Sequence, residues 1–349
     1  MWSLINTLSQ IRYLIVLRVN SPIARVLPRF SSEISQVLGG IIANRLPSSE
    51  AKYWRKSAEY WSAYPELAAE SYDGRNGRNR NAPAELRSIP SSPWPMETVL
   101  FPYPGKRSYG RGEPILLELK LLGDSADHSI FLELILPALE QASLTVLGDP
   151  ANKYPLWGHF DIETIYVARG MNWEPIIQAG RLNLDYRPTA VQWAKGLSFK
   201  PAQHSRHHAL LWLTPFEFEK HGIPNPAIQT AASGKRRKTA AIPTLATLLD
   251  ALFLRVGRII TGKQIGIAEV RDMFSNKERE HFDNEITPLI QAANRRQTLE
   301  KVPKEWPECW LGVQRFPSIP ASVLPFLRLA SILHIGQHTH IGYGTFALR

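Results

Sequence analysis

Leu333-His334-Ile335-Gly336-Gln337-His338-Thr339-His340-Ile341-Gly342-Tyr343-Gly344-Thr345-Phe346-Ala347-Leu348-Arg349 is the stretch on which the reading of this chain turns. Gly336, Gly342 and Gly344 fall within nine residues, and no acidic residue occurs from His334 onward. Glycines at this density let a backbone take positive φ and approach a ligand closely. Acid-free, donor-rich turns can hold a phosphate through main-chain N–H groups. The spacing excludes a Walker loop, because Gly342 is followed by Tyr343 rather than by the four-residue gap and Gly-Lys pair that loop requires. A dinucleotide fingerprint follows a strand and opens a helix. Here the order is reversed: an apolar helix over Leu324 to Leu333 precedes the glycines and a short strand follows them. A tight hairpin with incidental glycines fits the same residues.

Working outward, the chain has 349 residues, enough for two domains at ~150 residues each. With 44% hydrophobic and 10% aromatic residues it can bury a core. Lys+Arg is 41 against Asp+Glu 31, a formal charge of +10, which fits a polyanionic partner as well as simple solubility. The sole cysteine, Cys309, excludes an internal disulfide and a cysteine-rich zinc site, and places the protein in the cytoplasm. Met1 to Val19 lacks a basic leader and is interrupted by Arg12 and Arg18, so neither export nor a membrane partner is expected.

Tyr13 to Val19 reads as a first strand, ended by Asn20-Ser21-Pro22. Ser31 or Ser32 is expected to cap a helix carrying Ile34, Val37, Leu38, Ile41 and Ile42. The loop between them is basic through Arg25 and Arg29. Residues 48–104 read as an irregular basic insert, with Asp73 to Asn81 at its tip and a proline-rich stretch at its end. Ile115 to Leu122 is a strand, a helix follows to about Gln141 with Pro137 as a kink, and Tyr154 to Val167 is a strand. Ala209 to Phe218 is a strand carrying Leu213-Thr214-Pro215. Lys235-Arg236-Arg237-Lys238 is the most basic run, suited to phosphate contact or to solvent. A helix is expected from Pro243, with Leu245, Leu248, Leu249, Leu252, Phe253, Val256, Ile259 and Ile260 as its apolar stripe and Arg255 and Arg258 off it. Trp310 to Phe316 is a strand, and Ser322 to Leu333 the helix that delivers the glycines.

The order of apolar helix Phe326 to Ile335, Gly336, the Gly342-x-Gly344 turn and a terminal strand resembles the C-terminal glycine-rich loop of the RAMP superfamily of CRISPR-associated RNA-binding proteins. With Leu213-Thr214-Pro215 upstream, the likeness is to the branch that cuts precursor CRISPR RNA within its repeats. It covers roughly 105–170 and 209–349, and the N-terminus loosely. The resemblance implies an α+β fold of tandem ferredoxin-like (RRM-like) domains, 1–195 and 196–349, the second carrying the glycine-rich loop 334–344. It also implies a metal-independent endoribonuclease. A 2′-hydroxyl attacks the adjacent phosphate in line and leaves a 2′,3′-cyclic phosphate and a 5′-hydroxyl, and the product is retained. The alternative is a non-catalytic subunit that binds guide RNA. CRISPR repeat RNA and other effector subunits are the implied partners, and no cofactor is needed.

Such chemistry requires a base, a proton donor and cations against the developing charge. Histidine suits the first two roles and arginine the third. Many members carry a histidine near the first helix, but here none precedes His128. Arg18, Arg25 and Arg29 are therefore candidates to stabilise the phosphate, and His338 and His340 to move protons. Gly336, Thr339, Gly342, Gly344, His207, His208 and Lys235 to Lys238 are the candidate RNA contacts. The family usually places a base near the end of the Leu-Thr-Pro strand, where this chain has Glu217 and Glu219. His204, His207 and His208 lack the cysteine pair or H-E-x-x-H spacing of a zinc site, so no metal is expected.

Overall fold

The computed structural model describes residues 3–27, 30–62, 92–146, 153–178, 180–197, 207–217, 242–289 and 309–349. They form two compact units, Gln10–Trp193, and Ala194–Arg349 together with Met1–Ser9. Both combine helices with antiparallel sheet.

In the first unit β1 (Gln10–Val19) is central. It pairs antiparallel with β5 (Pro114–Leu122) on one side and β6 (Phe160–Arg169) on the other. β3 (Thr98–Pro102) lies outside β5, and β7 (Asn172–Gln178) and β8 (Arg181–Leu182) extend the other edge, giving the order β3-β5-β1-β6-β7-β8. A separate two-stranded ribbon joins β2 (Ile23–Arg25) to β4 (Ser108–Gly110). Alternation decides the faces. Ile11, Tyr13, Ile15, Leu17 and Val19 are buried with Leu117, Leu119 and Leu121 against Ile34, Leu38 and Ile42 of helix Phe30–Arg45 and Leu139 and Ala142 of helix Leu136–Leu144. Each such side chain contributes roughly 1.5–3 kcal/mol on burial.

The opposite residues of these strands carry charge. Arg12 Nε donates to Glu118 at 2.7 Å, with Lys120 3.7 Å away and the Tyr103 hydroxyl donating at 3.3 Å. Burial alone would raise the Glu118 carboxyl, but Lys120 and Arg12 more than offset it and hold it below its ordinary range.

A bulge shifts the β1–β6 register between Val16 and Leu17, where Val16 faces Thr164 and Leu17 faces Ile162. Glu163 is the extra residue. The bulge reverses the alternation, so Phe160 and Ile165 are both buried despite an odd spacing. Pro137 lies, as expected, inside a helical run, which is unbroken from His128 to Leu144. The π-helical turn over Phe131–Ile135 immediately before it loosens the hydrogen-bond ladder where its missing N–H falls.

In the second unit β9 (Ala209–Glu217) is flanked by β10 (Cys309–Arg315) and β11 (Phe346–Leu348). Helix Leu245–Thr261 begins at an N-cap, Thr244, whose hydroxyl accepts from the Thr247 N–H; Pro243 lies outside it. Arg255 is not off the buried face. It is 1% exposed and donates to the Leu333 carbonyl at 3.3 Å. Its position, three beyond Leu252 and four before Ile259, keeps it on the stripe. The guanidinium thus meets the negative end of helix Leu324–Leu333. Other expectations shift at their edges. Ser31 and Ser32 lie inside helix Phe30–Arg45, and Ser48–Ser62, expected as irregular, is helical. No helix among the described residues is long and apolar enough to cross a membrane.

Candidate nucleic-acid interface

Helix Leu324–Leu333 ends at His334, which takes φ 59 and ψ 132. The ring is fully buried, and its Nδ1–H is shared between the carbonyls of Gly342 and Tyr343, each at 3.0 Å. His334 thus ties the two ends of the turn together rather than pairing a charge with the helix end. Gly336 (φ 88), Gly342 (φ 80) and Gly344 (φ 80) all lie in the left-handed region. A Cβ on Gly336 would strike the Glu217 carbonyl and the Phe216 ring, and one on Gly344 the Ile335 carbonyl. The glycines are therefore required by the close approach of protein to protein.

The amides of this segment are largely engaged. Ile335 N–H donates to Gly344, Gln337 to Glu217, Gly342 to Thr339, Tyr343 to His338 and Gly344 to Pro215, while Thr345 donates to the Thr214 hydroxyl. The segment runs along the end of β9 and continues it into β11, where Phe346 faces Trp212. Leu213-Thr214-Pro215 is thus the surface on which the glycine segment is built. The N–H groups of Gly342 and Gly344 serve protein acceptors.

His338 sits in the left-handed region, φ 55 and ψ 26. Its Nε2 lies 3.0 Å from Glu217 Oε2, and the two side chains are 12% and 7% exposed. The Tyr343 ring packs edge-on against it at 5.7 Å. An acid where a base was expected has become the partner of the segment's histidine. The Glu217 carboxylate at Nε2 restrains the ring. Thr339 and His340 are each 1% exposed and line the inside of the turn. His340 as placed supports the segment and does not face solvent.

His207 and His208 enter β9 at its other end. The His207 carbonyl accepts from Ile319 N–H, and His208 Nδ1–H donates to the Pro317 carbonyl at 3.1 Å. The length of β9, roughly 26 Å at ~3.3 Å per residue, separates them from Glu217 and His338. The structure does not bring these four together. No group of three or more potential metal ligands occurs among the described residues.

In the other unit, Arg18 is exposed at the bulge of β1. It donates to the Glu163 carboxylate and, at 2.8 Å, to the Gly112 carbonyl. Hydrogen bonding to Glu163 raises the guanidinium pKa further. Arg25 is exposed on the ribbon, its guanidinium 5.2 Å from the centre of the Tyr154 ring. Arg29 and Lys235 to Lys238 lie outside the described residues, as do Asp73 to Asn81 and His204.

One histidine passed over in the sequence is tuned. The Tyr13 hydroxyl and His128 Nδ1 are 3.0 Å apart. Burial, then Asp127, pushes the Tyr13 phenol up, so it keeps its proton and donates. Burial is also the main cause lowering the His128 pKa below 6.5, which leaves a neutral imidazole with its proton on Nε2.

No family description matches the sequence, and no curated protein matches it. Among solved structures, the chain is similar to a chain of a partial Cas6-RT-Cas1–Cas2 complex at 12% identity and a TM-score of 0.46, over 98% of this chain and 46% of that one. It is similar to Thermus thermophilus Cas6 at 13% identity and a TM-score of 0.41, over 98% of this chain and 99% of that one. A third similar structure is described as a RAMP protein binding different RNA substrates, at 12% identity and a TM-score of 0.33, over 97% and 99%. The chain spans less than half the length of the Cas6-RT-Cas1–Cas2 chain it matches.

Proposed function

We propose that this chain is an RNA-binding protein of the RAMP type that cuts precursor CRISPR RNA within its repeats without a metal ion. Each unit is read as a ferredoxin-like domain, with boundaries near 1–195 and 196–349. The observation that carries the reading is the C-terminal order: helix Leu324–Leu333, three glycines at positive φ fitted to β9, then β11. In the first unit, β1, β3, β5 and β6 in the order β3-β5-β1-β6, with helices over one face, support it.

In this reading Arg18, Arg25 and Arg29 contribute positive charge toward RNA phosphates. His338, oriented by Glu217, moves the protons. His207, His208 and Lys235 to Lys238 position the RNA backbone, while Gly336 and Thr339, both buried, shape the segment. The attacking 2′-hydroxyl loses its proton, its oxygen bonds to phosphorus, and the 5′-oxygen leaves with a proton. Other CRISPR effector subunits are the expected protein partners.

A non-catalytic guide-RNA-binding subunit is the second reading, favoured by the burial of His340 and by the hold of Glu217 on His338. One experiment separates the two. Purified protein is incubated with repeat RNA in excess EDTA, beside RNA carrying a 2′-deoxy sugar before the cut. Cutting that the deoxy sugar abolishes supports the nuclease. Tight binding without cutting supports the subunit.

A further inference from the structure

The ribbon and the turn beside it hold a surface of which only Arg25 has so far been given a role. Lys153, Tyr154 and Pro155 run alongside β2. Arg25 N–H donates to the Tyr154 carbonyl at 2.7 Å, and Arg25 forms an isolated parallel bridge with Pro155. The backbone of Tyr154 is therefore pinned to the ribbon. Its side chain is not buried: the ring is 42% exposed, with the Arg25 guanidinium 5.2 Å from its centre. Arg107, whose carbonyl accepts from Val26 N–H at 3.0 Å, and Lys153 are both exposed. Neither forms an ion pair among the described residues. The nearby Glu113 carboxylate is taken by Lys106 at 2.6 Å and by the Gly110 N–H.

A tyrosine ring held at the surface by a pinned backbone offers a large, rigid apolar face with a polar tip. Cations flanking an aromatic face suit a ligand with alternating phosphates and π faces. From this we infer that Tyr154 is a stacking platform for a base of single-stranded RNA, with Arg25, Arg107 and Lys153 holding the adjoining phosphates. The inference rests on the RNA-binding reading and adds a base contact to it. Stacking is sequence-tolerant, so this surface holds a strand without reading it.

The test uses the full chain and a fluorescein-labelled uridine 12-mer, titrated at several salt concentrations. Y154A is expected to weaken binding by roughly 5- to 100-fold, as for loss of one stacked base. Y154F keeps the ring and binds like the wild type. The double variant R107Q/K153Q is expected to flatten the logarithmic salt slope by about 1.4, or ~0.7 per lost phosphate contact. Crosslinking at 254 nm is expected to attach uridine to the peptide that carries Tyr154. If the wild type binds but Y154A binds equally well and the adduct maps elsewhere, the inference is overturned while the RNA reading stands. Equal losses in Y154A and Y154F overturn stacking in favour of a hydroxyl contact. A wild type that does not bind the strand overturns both.

Discussion

The C-terminal segment from His334 to Thr345 and the ribbon formed by β2 and β4 both look ligand-facing in the sequence, one from its glycines and the other from its arginines. In the folded chain they behave oppositely. The segment turns its special residues inward: its glycines make room for carbonyls, its amides meet protein acceptors, and His334, Thr339 and His340 are buried. The ribbon pairs in a short ladder, is pinned to the Tyr154 turn through the Arg25 N–H, and turns the Arg25 side chain outward beside an exposed Tyr154. Glycine density therefore marked a place where backbone meets backbone. Under the proposed reading, cations and an aromatic ring on a pinned turn mark an RNA contact better than glycines do.

The sharpest way to break this contrast is a pair of glycine substitutions. Gly344 and Gly112 have φ near +80, but a Cβ on Gly344 meets the Ile335 carbonyl while one on Gly112 meets open space. G344A is expected to cost about 3–5 kcal/mol, combining left-handed strain with a backbone clash. G112A should cost only about 1–2 kcal/mol. Urea unfolding of both variants measures the difference, and equal losses would show that the segment is looser than described.

Next in size is the pair that clips the segment to β9. A double-mutant cycle on E217Q and H338Q should give a coupling of about 1–2 kcal/mol in stability, since both side chains are nearly buried. Additive effects would remove Glu217 as the partner that orients His338. On the ribbon, R25A should leave stability within about 0.5 kcal/mol and lower affinity for single-stranded RNA by roughly 5-fold, with a shallower salt slope. A loss of stability without loss of affinity would make Arg25 a structural residue.

The smallest effect is a pH dependence in the ribbon's unit. His128 has a folded pKa below its unfolded value near 6.5, so the unfolded chain binds the proton more tightly. Stability should therefore fall as pH drops from about 6.5 toward the folded pKa. H128Q should remove that slope, seen by comparing urea midpoints at about pH 7.5 and 5. Persistence of the slope in H128Q would show that another group carries the pH dependence.

Much of the architecture was legible because strand and helix patterns are local. The alternation of Ile11 to Val19 and Ile115 to Leu121, and the stripe through Leu248 and Leu252, each state a face directly. The site was less legible because its partners are far apart in the chain. Glu217 and His338 are separated by 121 positions, and only the register of the segment along β9 makes them neighbours. Arg255 was misread because charge was weighed above position: on a helix the spacing decides the face, and a carbonyl at a helix end can satisfy a guanidinium there. Tyr154 looked like the start of a strand, whereas β6 begins at Phe160 and leaves the tyrosine in the turn before it. The bulge at Glu163 had no sequence signal beyond an odd spacing of buried residues.

The division of the chain also sets a timetable. Residues 10–193 are contiguous and can close their sheet as soon as they have all been synthesised. The other unit has no such freedom. β9 is made at 209–217, but its two neighbours come only at 309–315 and 346–348. At about 5–20 residues per second, β9 waits roughly 5–20 s with both edges bare. During synthesis, the strand that later anchors the glycine segment is thus a template for wrong pairing.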